Sequence, residues 1–384
     1  MSEVRVNNLS NENNTGGPTI SGITTYSGSH FFVPPQGDTA SRPQSCPSGS
    51  LRFNTDTAHL EYYRGDTIGW VEVEAELTAP VGIATLTGAA YAGLGNRGLY
   101  MGGGTTNTID FLTISTFGDT QDFGDLTRVQ NQGSSFSSRT RGFLAGGNTP
   151  GSPYGSVDTD MVFFSSTGNA TDFATLASIK KEAGCFSNAI RGCHNGGGGN
   201  TIQYITMETG GDYVDFGDTS NAYEQNMGLA STTRGFTGGG NTVPAYSASN
   251  IIEFVIIMTT GNSTDFGDLT ISGYGGSSGS NATRGLFYNR YVSPAVNNTI
   301  EFITMATTGN AIDFGDATAA AYGKTGGMAS ATRFVTAGGH NGSSTFANID
   351  SVEITSTGNA VDFGDLTRGA TSMGGQCSNG HGGL

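Results

Sequence analysis

Ile300-Glu301-Phe302-Ile303-Thr304-Met305-Ala306-Thr307-Thr308-Gly309-Asn310-Ala311-Ile312-Asp313-Phe314-Gly315-Asp316 is the clearest copy of a phrase that occurs six times in this chain. Its Asp-Phe pair stands at Asp122, Asp172, Asp215, Asp265, Asp313 and Asp362. The intervals of about 43 to 50 residues are the length of one four-stranded repeat. A second phrase precedes each copy: an arginine, apolar residues, then a glycine doublet, as in Arg141-Gly142-Phe143-Leu144-Ala145-Gly146-Gly147. Its arginines are Arg97, Arg141, Arg191, Arg234, Arg284 and Arg333. Three departures stand out: Asn289-Arg290 replaces a doublet, Phe334 follows Arg333 in place of glycine, and Ala174-Thr175 replaces one Gly-Asp.

Each unit parses into strands. The arginine phrase is a short inner strand stopped by its glycines. The Ile-Glu-Phe-Ile-Thr segment is a second, apolar on both faces in Ile251 to Ile257, which a strand packed between two sheets requires. Thr-Gly-Asn is a tight turn, and Asp-Phe-Gly-Asp starts a third strand, its glycine suited to a turn or bulge. A fourth, exposed outer strand is expected in the Gly/Ser/Ala-rich stretches such as Gly133 to Ser138. Leu86 to Gly95 and the run from Gly364 to Gly380 offer similar elements at the two ends of the array, so one of them completes the unit begun by the other. The expected fold is all-β, with six units closed into a ring over residues 81–384.

Composition narrows the function classes. Sixty-two glycines and a charged fraction of 13% fit short strands joined by tight turns, while 10% aromatic residues supply the apolar surface that disordered chains lack. A net charge of −15 without a basic cluster disfavours nucleic acid as a partner. Cys46, Cys185, Cys193 and Cys377 have neither disulfide-framework nor zinc spacing. The polar first residues carry no signal peptide and no apolar run is long enough to insert in a membrane, which leads us to expect a soluble chain made in a cytoplasm.

Catalytic motifs fail on inspection. Asp-Phe-Gly recurs at repeat spacing without a His-Arg-Asp partner, which removes a kinase reading. Ser263 to Thr270 and Thr120 to Thr127 loosely resemble the aspartate-box turns of sialidases, which are structural. The glycine runs open no helices, and no Gly-x-Ser-x-Gly elbow is present. His30, His59, His194, His340 and His381 share no repeat position, so no metal or other cofactor is expected and the chain reads as a non-enzyme. The six arginines are expected to pair with recurring aspartates such as Asp125, Asp218, Asp268, Asp316 and Asp365. Connections between the doublet and the second strand vary in length and carry Tyr154, Tyr246, Tyr291, His340 and Phe346. Variable loops on one face make a binding surface, and tyrosines beside Asn and Ser suit sugars.

The doublet, the apolar strand before it and the period resemble kelch repeats, which implies a six-bladed kelch-like β-propeller; the tryptophan usual in kelch repeats is missing, since the only one, Trp70, lies outside the array. Residues 1–20 read as a polar arm and 21–80 as a small β module. That module's Leu51-Arg52-Phe53-Asn54-Thr55-Asp56-Thr57 and Leu60-Glu61-Tyr62-Tyr63, ending in Gly69-Trp70, resemble the leading portions of tail-fibre-like virion proteins of marine and cyanobacterial tailed phages. The resemblance implies a virion structural protein: residues 1–80 docking to other virion proteins, the propeller displayed outward in multiple copies or as a homo-oligomer, and host surface polysaccharide as a ligand. The alternatives are a capsid decoration protein and a propeller glycosidase or depolymerase.

Overall fold

The computed structural model describes residues 34–57, 59–72, 96–104, 106–150, 155–369 and 371–384. They are all-β, without a helix among them, in seven mostly antiparallel sheets of four to six strands. The chain divides into two compact units, Met1–Gly82 and Ile83–Leu384.

The described part of the first unit is one sheet. Leu51–Asn54, His59–Tyr63 and Trp70–Glu72 pair antiparallel, and Gln36–Gly37 joins in parallel. Tyr63 packs on Trp70 with ring centroids 5.3 Å apart. The buried Glu61 accepts from Arg42 Nη2 at 2.6 Å and Asn54 Nδ2 at 3.3 Å, which compensates its desolvation.

The second unit contains six sheets, each built on one repeat. Sheet four is representative: Met227–Ala230, Arg234–Gly238, Ile251–Ile256 and Thr264–Asp268 follow one another from innermost to outermost strand. The innermost strands are the Gly/Ser/Ala-rich stretches, as in Ser134–Ser137 and Ser277–Ser280, and every residue in those two is buried. This corrects the expectation of an exposed outer edge. Small residues stand there because the strands of successive sheets converge too closely for large side chains. A Cβ on Gly228, for example, would collide with the backbone of Cys185. The serines also bind across: Ser137 Oγ donates to Ser378 O (2.7 Å), Ser187 Oγ to Ser137 O (2.8 Å), Ser280 Oγ to Ala230 O (2.6 Å) and Ser378 Oγ to Ala329 O (2.7 Å). The Asp-Phe-Gly-Asp strands are outermost. Their phenylalanine is buried in five sheets and half-buried at Phe173, and all six preceding aspartates are exposed.

Gly375–Ser378 supplies the innermost strand of sheet one, pairing antiparallel with Arg97–Met101. The carboxy-terminal run therefore completes the first repeat; Leu86 to Gly95 lie outside the described residues.

Hydrophobic cores lie between consecutive sheets. Leu229, Phe236, Ile252 and Phe266 of sheet four pack with Phe287, Ile303 and Met305 of sheet five. Five further clusters repeat this arrangement, and one of them joins Val335, Ile349 and Phe363 of sheet six to Tyr100, Leu112 and Ile114 of sheet one. Each buried Phe, Leu or Ile contributes roughly 1.5–3 kcal/mol of transfer free energy.

The recurring motif residues are the joints between sheets. The turn glycine donates to the phenylalanine carbonyl of the preceding sheet: Gly168 to Phe123 (2.8 Å), Gly261 to Phe216 (2.7 Å), Gly309 to Phe266 (2.9 Å), Gly358 to Phe314 (2.8 Å) and Gly118 to Phe363 (2.9 Å). The turn asparagine Oδ1 accepts the next N–H along, as Asn310 does from Asp268 at 3.0 Å. The outer strand bulges at its Asp-Phe-Gly, where Gly267 has φ +148° and a Cβ would stand 2.5 Å from Gly309 O. The Ala174 exception follows from its neighbour. Sheet three turns through Gly210-Gly211-Asp212, where Gly210 N donates to Thr206 O (3.0 Å) within the turn and not to Phe173 O, while Tyr213 N to Thr175 O (3.1 Å) keeps the bond that Ala311 N makes to Asp268 O (2.8 Å).

The arginines do not pair with the recurring aspartates. Each donates Nη1 to a main-chain carbonyl at the end of the Ile-Glu-Phe-Ile-Thr strand of the following sheet, the third counted from the innermost: Arg97 to Phe164, Arg141 to Met207, Arg191 to Ile257, Arg234 to Met305, Arg284 to Ile354 and Arg333 to Ile114. Five of these guanidiniums lie 4.3–4.8 Å from an aromatic ring centroid, among them Arg191 over Tyr204 and Arg234 over Phe254, and Arg141 lies 5.3 Å over Phe163. A carbonyl left by the strand end and a nearby ring satisfy the cation where a carboxylate was expected. Arg234→Ala removes charge-assisted bonds to Met305 O and Ala306 O, and urea unfolding is expected to show a loss of about 2 kcal/mol.

Candidate binding face

The doublet-to-third-strand connections and the segments leading into each innermost strand lie together, as paired backbones show: Asn131 bridges Asn148, Tyr274 bridges Tyr291 and Tyr322 bridges His340. The residues that then enter the innermost strands, Gln132, Glu182, Gln225, Gly275, Gly323 and Met373, all have φ between 53° and 70°. They form a closed circuit of backbone bonds. Glu182 N donates to Gln132 O (2.8 Å), Gln225 N to Glu182 O (2.6 Å), Gly275 N to Gln225 O (2.9 Å), Lys324 N to Gly275 O (3.2 Å), Met373 N to Gly323 O (2.7 Å) and Gln132 N to Met373 O (2.8 Å). At this collar the Glu182 carboxylate accepts from the amides of Gln132 and Gln225, and burial raises its pKa.

Beside the collar runs a row of four half-buried rings. Tyr274 and Tyr291 have centroids 5.2 Å apart, Tyr291 and Tyr322 5.1 Å, and Tyr322 and His340 4.0 Å. Burial, then the neighbouring tyrosines, raises the pKa of Tyr274 and Tyr322, and burial lowers that of His340. These three rings are thus uncharged at neutral pH.

Of the residues singled out from the sequence, Tyr291 and His340 meet here through Tyr322. Tyr246, 64% exposed at the tip of the hairpin Asn241–Thr242 and Ser247–Ala248, makes no ring contact among the described residues. Phe346 is half-buried and tied by its backbone to Gly339 and Thr371. Tyr154 lies outside the described residues. Tyr274 and Tyr322 were missed, although each directly precedes a glycine at the same unit position.

A further recurring set was also missed. The third strands carry Asp110, Asp160, Gln203, Glu253, Glu301 and Asp350 at one position, all buried. The later part of the preceding outer strand, or the segment after it, satisfies each: Arg368 Nε on Asp110 (2.5 Å), Thr127 Oγ1 on Asp160 (2.7 Å), Ala177 N on Gln203 (2.9 Å), Ser220 N on Glu253 (3.1 Å), Thr270 Oγ1 on Glu301 and Thr318 Oγ1 on Asp350 (2.5 Å). These polar staples fix where the face begins.

Two buried histidines make the fold pH-sensitive. Burial lowers His194 from 6.5 to about 3 and His381 to about 4. Below pH 6.5 the unfolded chain takes up protons that the folded one refuses, so stability present above that pH is lost as pH falls. For the fully buried His194 the loss is about 2 kcal/mol by pH 5, and less for His381, which keeps some solvent exposure. Burial raises Asp110, Asp160 and Glu301, which opposes this trend. Urea midpoints at pH 7 and pH 5 should differ less in His194→Gln than in the parent chain.

Among the described residues no three His, Cys, Asp or Glu side chains converge as a metal site. The chain matches no protein-family model and no curated protein.

Proposed function

We propose that the repeat unit is a six-bladed, kelch-like β-propeller and that the chain is a virion structural protein of a tailed phage, a tail-fibre-like or other surface appendage. Six sheets joined by six intersheet cores and a returning carboxy-terminal strand support the propeller. Residues 1–80 dock to other virion proteins, and the propeller faces outward in multiple copies.

The observation that carries the functional part is the aromatic row on the variable-loop face. Clustered aromatic rings rimmed by amides bind sugars by stacking and hydrogen bonding, and host surface polysaccharide is the sugar a virion meets. The protein acts by holding this polymer, without turnover. Immunogold labelling of intact particles should place the chain on the tail or its fibres, and purified protein should compete with adsorption. Labelling confined to the head would leave a decoration protein, and new reducing ends on incubation with host polysaccharide would make it a depolymerase.

A further inference from the structure

We infer that the aromatic sector takes an uncharged, hydroxyl-rich polysaccharide and discriminates against acidic ones. This rests on the reading that the propeller contacts host polysaccharide, and it names the class.

Pseudo-symmetry locates the sector. Comparable positions elsewhere around the collar hold Asn131 with Asn148, Glu224 with Asn241, and Gly104 with Ser372. Among the described residues, aromatic pairs stand only at Tyr274 with Tyr291 and Tyr322 with His340, which are adjacent. The scaffold tolerates small polar residues at these positions, so four rings there are not a folding requirement.

Charge decides the class. Most cations near this face are already engaged: Arg128 with Asp158 and Asp160, Arg368 with Asp110, Arg290 with Glu301, and Lys180 on Gly196 O at 2.9 Å; the half-buried Lys181, beside the collar position of sheet three, lies in the field of the neighbouring Glu182 carboxylate. Lys324 is buried, 5.4 Å from the Tyr288 ring centroid. Glu182 and Glu224 border the collar, within a chain of net charge −15. A polyanion gains no ion pair from these engaged groups and meets repulsion across about one Debye length.

Unmet polar atoms adjoin the rings. Gln225 donates its amide to Glu182 at 3.0 Å, which turns Oε1 toward Gly275, where a Cβ would lie 3.1 Å from that oxygen and 3.3 Å from the Tyr322 ring. His340 Nδ1 accepts from Gly342 N at 3.4 Å, so Nε2 carries the proton in the tautomer this bond selects. Both Gln225 Oε1 and His340 Nε2 lack protein partners. Both atoms are buried, and a hydroxyl that reached them would answer acceptor and donor alike, where a carboxylate only accepts.

The test is affinity electrophoresis of the full chain through gels containing surface polysaccharide of a susceptible host, split by anion exchange into neutral and acidic fractions. The neutral fraction is expected to retard the protein. Tyr291→Ala and Tyr322→Ala should weaken retardation about tenfold, Tyr291→Phe should keep it, and Tyr246→Ala, whose ring touches none of the four, should change it less than about twofold. Unchanged thermal melts keep folding separate from binding. Equal or stronger retardation by the acidic fraction, or retardation indifferent to both alanine variants, overturns the inference while host-polysaccharide binding stands. Retardation by neither fraction overturns that underlying reading itself.

Discussion

A chain ending at Gly374 is expected to lose the cooperative folding of its repeat unit. The missing strand leaves the backbone of Arg97–Met101 unpaired along one side, removes the Gln376 bonds to Ala337 N (2.9 Å) and O (3.2 Å), and takes Cys377 out of the core between sheets one and two. Each buried polar group left without a partner costs about 1–3 kcal/mol. Several together exceed the roughly 5–15 kcal/mol by which a domain is stable. Urea unfolding followed by near-ultraviolet circular dichroism should show a shallow or absent transition. Moving residues 375–384 ahead of Asn96 should restore it, because the closing pairing depends on the strand and not on its place in the chain. A truncated protein with the full, steep transition would show that sheet one stands without its innermost strand.

Arg290→Met is expected to cost about 3–5 kcal/mol, the range for breaking a buried ion pair. Arg290 is fully buried where other units have the second doublet glycine, with Nη2 2.9 Å from Glu301 Oε2 but off the direction of a hydrogen bond. Burial lowers the arginine's pKa and raises that of Glu301. Removing the cation leaves the carboxylate with Thr270 as its partner. Arg290→Met with Glu301→Leu should recover most of the loss, since an apolar pair has no charge to desolvate. Equal destabilisation in single and double variants would mean that packing, not charge, sets the cost.

The repeat was legible because its conserved-looking phrase is a set of joints. Gly309, Asn310 and Gly267 recur in type because the same carbonyl meets the same turn at most junctions, and Ala174 departs where the next turn departs. The innermost strands were misread because serine and glycine look like solvent-facing residues, and nothing local reveals that successive sheets converge there. The collar was illegible for another reason: its left-handed positions hold Gln132, Glu182, Gln225 and Met373 as well as glycine, so tertiary bonding imposes a conformation that residue type does not announce. The arginines were found but given wrong partners, since main-chain carbonyls leave no sequence signal. The aromatic row was half visible. Tyr291 and His340 lie in connections that vary in length, Tyr291 at the end of the extended strand Arg284–Val292, whereas Tyr274 and Tyr322 lie in segments that resemble plain connections.

The pairing of Gly375–Ser378 with Arg97–Met101 also bears on synthesis. Sheets two, four, five and six draw their strands from short stretches of chain, and sheet three is complete by Ala248, so these five can assemble as the nascent chain emerges from the ribosome. Sheet one must wait, its inner edge open, until residues nearly three hundred positions later are released. Sheet one thus locks only after translation has passed its last strand, and until then Arg97–Met101 presents a free edge for which a neighbouring polysome product could compete.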